Sequence, residues 1–308
     1  MTLLEATSSL APDQLLELRE CRASDPDAVL RAATKRSRRS TLPPDGRLLL
    51  VAADHAARGA LRVQGDDLAM ADRDELLTRL ATALRHPGVD GVLGTADILE
   101  DLLLLGALED KVVIGSMNRG GLAGSSFEVD DRFTGYHAEG IQAMGFDGGK
   151  MLTRVDLEDP ASVATLEAAA RAIDELTDHA LMAMVEPFIS RRQDGRLTND
   201  LSTAAVVHAV SIASGLAASS RRTWLKLPVV EDMAAVMAAT TLPTLLLGGD
   251  PTEAPETYRA KWADAMLLPG VRGLIAGRAL LYPADDDVHA SVEAAVSIVH
   301  PDNGMAGS

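Results

Sequence analysis

The chain has 308 residues, 47% hydrophobic and 24% charged, with a formal net charge of -16 and a pI near 4.8. The length allows one large α/β domain and the composition a sizeable buried core, while the negative charge repels phosphate backbones and anionic lipid, so no nucleic acid and no membrane partner is expected. A single cysteine, Cys21, leaves no intrachain disulfide and no cysteine-based zinc site.

Residues 1–10 lack a basic start followed by an apolar stretch, and no run of about 18 apolar residues occurs, so the expected location is cytoplasmic. Residues 1–40 read as a helical extension starting at Ala11-Pro12-Asp13, and the basic run 35–39 (KRSRR) reads as solvated cations at a helix C-terminus. From residue 48 onward, short β-rich apolar runs alternate with helical periodicity, the pattern of repeated βα units. The runs are 48–54, 89–94, 112–116, 148–155, 180–186, 223–228, 244–249 and 273–277, with amphipathic segments such as 72–85, 160–176 and 202–218 between them. Eight strands predict a single (β/α)8 barrel over 41–300, followed by a flexible tail at 301–308. A doubly wound dinucleotide-binding sheet would show a GxGxxG turn after its first strand, and none is there. A long glycine-rich loop, 117–147, follows the third strand on the face where barrels place their active sites.

Four charged residues stand at strand ends: Asp54 in VAADHA, Lys150 in GGKML, Glu186 in AMVEPF and Lys226 in TWLKLP. Lysine and glutamate are rarely buried without partners, and two lysines with two carboxylates in one barrel mouth satisfy one another. They are also the kit that Schiff-base carbon chemistry requires. An amine attacks a carbonyl only when neutral, and lowering a lysine pKa to near 7 takes about 4 to 5 kcal/mol. Lys150 about 5 Å from Lys226 would supply roughly 3 kcal/mol of that at an effective dielectric of 20, desolvation can supply more, and the carboxylates pull the other way. Gly248 and Gly249 after the seventh strand, and Gly277 and Arg278 after the eighth, fall where barrels commonly bind phosphate. Of the seven histidines only His55, and less directly His137, fall where they can approach the pocket, so no metal site is expected.

The order DHA, GGK, VEP, LKLP, LLLGGD and IAGR resembles the DeoC/LacD-type class I aldolases, which include deoxyribose-phosphate, tagatose-bisphosphate and archaeal-type fructose-bisphosphate aldolases. The resemblance covers residues 48–282. More narrowly, VLGTADILEDLLLLGALEDKVV, SMNRGGLAGSSFE and WLKLPVVEDM are similar to an actinobacterial barrel protein encoded with myo-inositol catabolism genes. The resemblance implies Lys226 as the imine-forming lysine, with Lys150, Glu186 and Asp54 as supporting lysine and acid/base carboxylates, and Gly248, Gly249, Gly277 and Arg278 at the phosphate. It implies no external cofactor, a phosphorylated carbohydrate substrate and a homo-oligomer. The extension and the long loop depart from the pattern, and Asn118, Arg119 and His55 are further substrate-contact candidates. The best-matching reaction is cleavage of 2-deoxy-5-keto-gluconate 6-phosphate to dihydroxyacetone phosphate and malonate semialdehyde. Alternatives are the other aldolase substrates of the group, a transaldol-type transferase, and a non-catalytic sugar-phosphate-binding barrel.

Overall fold

A computed structural model of the chain describes residues 10–39, 42–193, 196–249 and 253–301; the tail expected at 301–308 and Asp250 fall almost wholly or wholly outside them. The strands are β1 (Leu48–Ala53), β2 (Gly91–Gly94), β3 (Val112–Ser116), β4 (Gly148–Val155), β5 (Met182–Gln193), β6 (Arg196–Asn199), β7 (Thr223–Pro228), β8 (Thr244–Leu247) and β9 (Val271–Ala276). All but β6 run parallel, in the order β4-β3-β2-β1-β9-β8-β7-β5, and β4 pairs with β5 to close the sheet into an eight-stranded barrel. Helices lie between consecutive strands of the barrel, so the fold is a (β/α)8 barrel. No helix among the described residues is long and apolar enough to cross a membrane.

Side chains alternate across each strand, and this parity sets the position of the site. On β1, Leu48, Leu50 and Ala52 join an inner cluster with Leu93, Ile114, Met184, Leu245 and Ile275, whereas Leu49, Val51 and Ala53 face the helices. Continuing each inner series by two residues toward the C-terminal rim reaches Asp54 on β1, Glu186 after Met184 and Gly277 after Ile275. Lys226 follows Trp224 in the same way, while its neighbours Leu225 and Leu227 belong to the outer cluster. The barrel interior is thus apolar below and polar at its upper layer. At the lower rim Gly273 adopts φ +134, and a Cβ there would lie 1.9 Å from the Leu48 carbonyl oxygen, so only glycine fits where β9 meets β1.

Two features differ from expectation. The fifth strand runs on from Glu186 to Gln193 and pairs antiparallel with β6, forming a hairpin that rises above the mouth. The basic run at 35–39 is solvated only in part: Lys35 and Arg38 are exposed, but Arg36 and Arg39 are drawn in. Arg36 is buried and donates to the carbonyls of Leu108, Lys111 and Gly145, Arg38 lies 3.6 Å from Asp147, and Arg39 pairs with Asp90. These partners precede β2, β3 and β4, so the extension, as helices Pro12–Ser24 and Ala28–Lys35, ends by sealing the floor of the barrel.

His300 completes that floor. Its buried ring bridges Asp45 at 2.6 Å and Asp90 at 3.0 Å, and Asp90 also accepts from the Leu49 amide. Burial opposes the imidazolium, but the two carboxylates outweigh it and raise its pKa above the ordinary value of 6.5. For Asp90, burial is likewise outweighed, by His300, the Leu49 amide and Arg39, and its pKa is lowered. Stability from a raised histidine is fully present below the unfolded value and is lost as pH rises through the folded one; that from Asp90 is lost as pH falls through its own lowered value. His300→Gln is therefore expected to cost roughly 1–3 kcal/mol near pH 6, with the gap to wild type narrowing by pH 9 in urea titrations; a gap that widens with pH would contradict the assignment.

Candidate active site

The upper end of the barrel opens into a cavity of about 510 Å³ lined by Asp54, His55, Arg58, Arg119, Lys150, Glu186, Lys226, Gly248, Gly249, Gly277 and Arg278 among others. At its base the four strand-end residues form a continuous polar chain. Lys226 Nζ lies 3.0 Å from Glu186 Oε1, the other Glu186 oxygen pairs with Lys150 Nζ, and Lys150 Nζ reaches Asp54 Oδ2 at 3.3 Å. Asp54 also accepts from Ser116 Oγ at 3.2 Å and pairs with Arg119. Ser116 ends β3, so the adjacent strands β3, β4, β5 and β7, together with the end of β1, contribute to one network.

Burial dominates its electrostatics. All four strand-end residues are at most 8% exposed. Burial pushes the Lys150 ammonium well below its ordinary pKa, with Arg119 adding to the effect and Glu186 opposing it. Lys226 is also lowered by burial; Glu186 opposes, and Arg119 and Arg278 assist. Burial would raise the pKa of Glu186, but the two lysines outweigh it and hold the group far below the ordinary carboxylate range. Desolvation is the largest cause, and the Glu186 carboxylate, which pulls the other way, stands between the two amines; the Lys150 ammonium, expected to supply roughly 3 kcal/mol, is not among the main causes for Lys226. His55 is half-buried, and desolvation, with the charges of Arg278 and Lys226 adding to it, holds its imidazole well below 6.5.

Gly277 brings backbone close to the site, since a Cβ there would lie 2.3 Å from the Ala52 carbonyl oxygen. Gly249 adopts φ +68 beside open space. Asn118, expected at the substrate, is not among the lining residues. Its amide nitrogen donates to the carbonyls of Asp131 and Leu152 and its oxygen accepts from the Leu152 amide, so it ties the long loop to β4. His137 caps the helix Ala138–Ala143 and also stays away from the cavity. Among the described residues, no group of three or more His, Cys, Asp or Glu side chains is arranged to hold a metal ion.

Several lining residues lay outside the sequence reading. Phe188, Asn199 and Leu201 come from the hairpin and its exit, and Tyr258, Lys261 and Trp262 from the helix Pro255–Ala265. Arg58 comes from the single helical turn Ala56–Arg58 after β1; its place four residues beyond Asp54, in a loop on the active face, was the available signal. A buried cluster supports the roof of this region. Arg154 contacts Asp131 through Nε at 2.8 Å and Nη2 at 2.6 Å, reaches Glu128 at 3.3 Å, and donates to the Gly121 carbonyl.

Comparison with known proteins follows the same lines. No curated protein matches the sequence. Crystal structures of archaeal fructose 1,6-bisphosphate aldolases, 19% and 20% identical, cover 88% of this chain and 98% and 99% of their own, each with TM-score 0.62, a likeness of fold. The crystal structure of Cgl0159 from Corynebacterium glutamicum is 52% identical, covers 95% of this chain and 99% of its own, and has TM-score 0.93. The family model described as Cgl0159-like matches residues 46–296, and the chain belongs to that family.

Proposed function

We propose that the protein is a Schiff-base aldolase that cleaves a phosphorylated keto sugar or keto sugar acid, with Lys226 as the nucleophile. The observation that carries this reading is the buried chain Lys226–Glu186–Lys150–Asp54 at the mouth of a barrel. Archaeal fructose 1,6-bisphosphate aldolase of the same fold has been solved with its catalytic lysine covalently bound to the carbinolamine intermediate, which supports the same chemistry on this scaffold. Lys226, at the more open end of the chain, condenses with the substrate ketone and releases water. Glu186 or Asp54 takes the proton of the β-hydroxyl, the adjacent carbon–carbon bond breaks, and its electron pair enters the iminium to give an enamine. Protonation and hydrolysis of the enamine return the amine, and no external cofactor takes part. The phosphate is held by the amides around Gly248, Gly249 and Gly277 with Arg278. The resemblance to the inositol-associated barrel favours 2-deoxy-5-keto-gluconate 6-phosphate, whose C3–C4 bond would break to dihydroxyacetone phosphate and malonate semialdehyde. A panel of ketose phosphates and keto sugar acid phosphates, assayed for dihydroxyacetone phosphate release, tests the reading; turnover of at least one is expected, and turnover of none would remove it.

Glu186 provides a sharper test. Because it opposes the lowering of the Lys226 pKa, Glu186→Gln is expected to move the acid limb of the kcat/KM profile to lower pH. It should also cost about 10²–10⁴-fold in kcat through lost proton transfer. An acid limb that stays in place or moves upward would show that Lys226 does not set it.

A further inference from the structure

The chain is strongly acidic, yet among the described residues its cavity is lined by six cations and only three carboxylates. Lys150 and Lys226 share Glu186, Lys261 is clasped by Glu253 at 2.7 Å, and Arg278 stands in the glycine-rich sector of β8 and β9. Two arginines remain, Arg58 and Arg119. Arg58, half-buried, makes no side-chain hydrogen bond or ion pair among the described residues. The charges that bear on it most are Arg154, Asp131, Glu186 and Glu128, which belong to the sector of β4, β5 and the long loop. Arg119 is 9% exposed; its Nη2 pairs with Asp54, while its Nε is buried with no hydrogen-bond partner. Arg58 and Arg119 both line the cavity, and a guanidinium whose N–H groups are not all taken by protein acceptors can donate to an anionic ligand there. Arg119 and Arg278 line the same cavity as Lys226, so both cations stand near the reacting amine.

We propose that Arg58 and Arg119 form a carboxylate subsite, which binds a terminal carboxylate on the half of the substrate remote from its phosphate. This rests on the Schiff-base aldolase reading and narrows it to phosphorylated keto acids. A phosphate and a carboxylate together carry about three negative charges, which suits a cavity lined by more basic than acidic side chains. The fork of a guanidinium suits a planar carboxylate, and Arg119, already engaged by Asp54, has only part of its fork to offer.

The test runs in the aldol direction, with dihydroxyacetone phosphate as donor and three acceptors: malonate semialdehyde, 3-hydroxypropanal, and glyceraldehyde 3-phosphate. The first two share a three-carbon chain and differ in carboxylate against hydroxymethyl. Wild type is expected to use malonate semialdehyde with kcat/KM about 100-fold above 3-hydroxypropanal. Arg58→Gln, on a half-exposed turn, should lower the ratio of kcat/KM for the carboxylate acceptor over the neutral one by at least about tenfold. Equal use of the two acceptors by wild type, an equal loss of both in the variant, or a preference for glyceraldehyde 3-phosphate would each overturn the subsite. A borohydride-stable adduct of dihydroxyacetone phosphate alone needs no acceptor. Its presence without acceptor preference leaves the aldolase reading standing and the subsite refuted, whereas its absence removes the reading and the subsite with it.

Discussion

Lys226→Met is expected to lower kcat for carbon–carbon cleavage by about 10⁴-fold or more, equivalent to roughly 5.5 kcal/mol of barrel-mouth chemistry, while leaving the folded state intact. The nucleophile cannot be replaced by solvent, because the imine is what accepts the electron pair of the breaking bond. Stability should change little. Methionine fills much of the lysine volume, and Glu186 keeps Lys150 as a partner when Lys226 is gone. A variant that retains more than about 1% of wild-type kcat, measured with a substrate identified by the panel, would place the electron sink elsewhere.

The second large effect lies in stability. Arg154 is buried under the loop that follows β3 and is the shared partner of Asp131, itself fully buried on its side chain, and Glu128. Removing the guanidinium leaves two carboxylates out of water without a counter-ion. Arg154→Met is therefore expected to cost about 3–5 kcal/mol and lower Tm by roughly 10 °C. Because Arg154 also holds the Gly121 carbonyl, limited proteolysis should cut first within residues 117–137. Adding Asp131→Leu to Arg154→Met should recover part of the loss, since an apolar replacement of a buried pair is often neutral. A Tm within about 2 °C of wild type for Arg154→Met would show that the cluster does not hold the loop.

The barrel and its polar layer were legible because both follow from a period of two. Once LLLVAAD reads as a strand, the parity that buries Leu48, Leu50 and Ala52 inside also turns Asp54 inward, and the same holds for Lys226 after Trp224. Parity says which way a side chain faces but nothing about what faces it. That Glu186 would stand between the two lysines depends on the stagger of β4, β5 and β7, where Lys150 pairs with Met184 and Met184 with Trp224. The hairpin was missed because reading stopped at the proline of VEPF, although the run continues as ISRRQ and Asp194-Gly195 is a frequent dipeptide between antiparallel strands. The basic run at 35–39 shows the opposite difficulty. Arg36 and Arg39 find their partners 51 to 109 residues away, and no local pattern distinguishes a cation that seals a floor from one in solvent. Asn118 and Arg119 are adjacent in sequence, yet one ties a loop and the other lines the cavity, a division set only by how the long loop folds back.

The most direct test is to incubate the enzyme with saturating dihydroxyacetone phosphate, reduce with borohydride and map the adduct by peptide mass spectrometry. A reduced triose phosphate on Lys226, absent without ligand, is the predicted result. An adduct on Lys150, or no adduct on any lysine, would contradict Lys226 as the imine-forming residue.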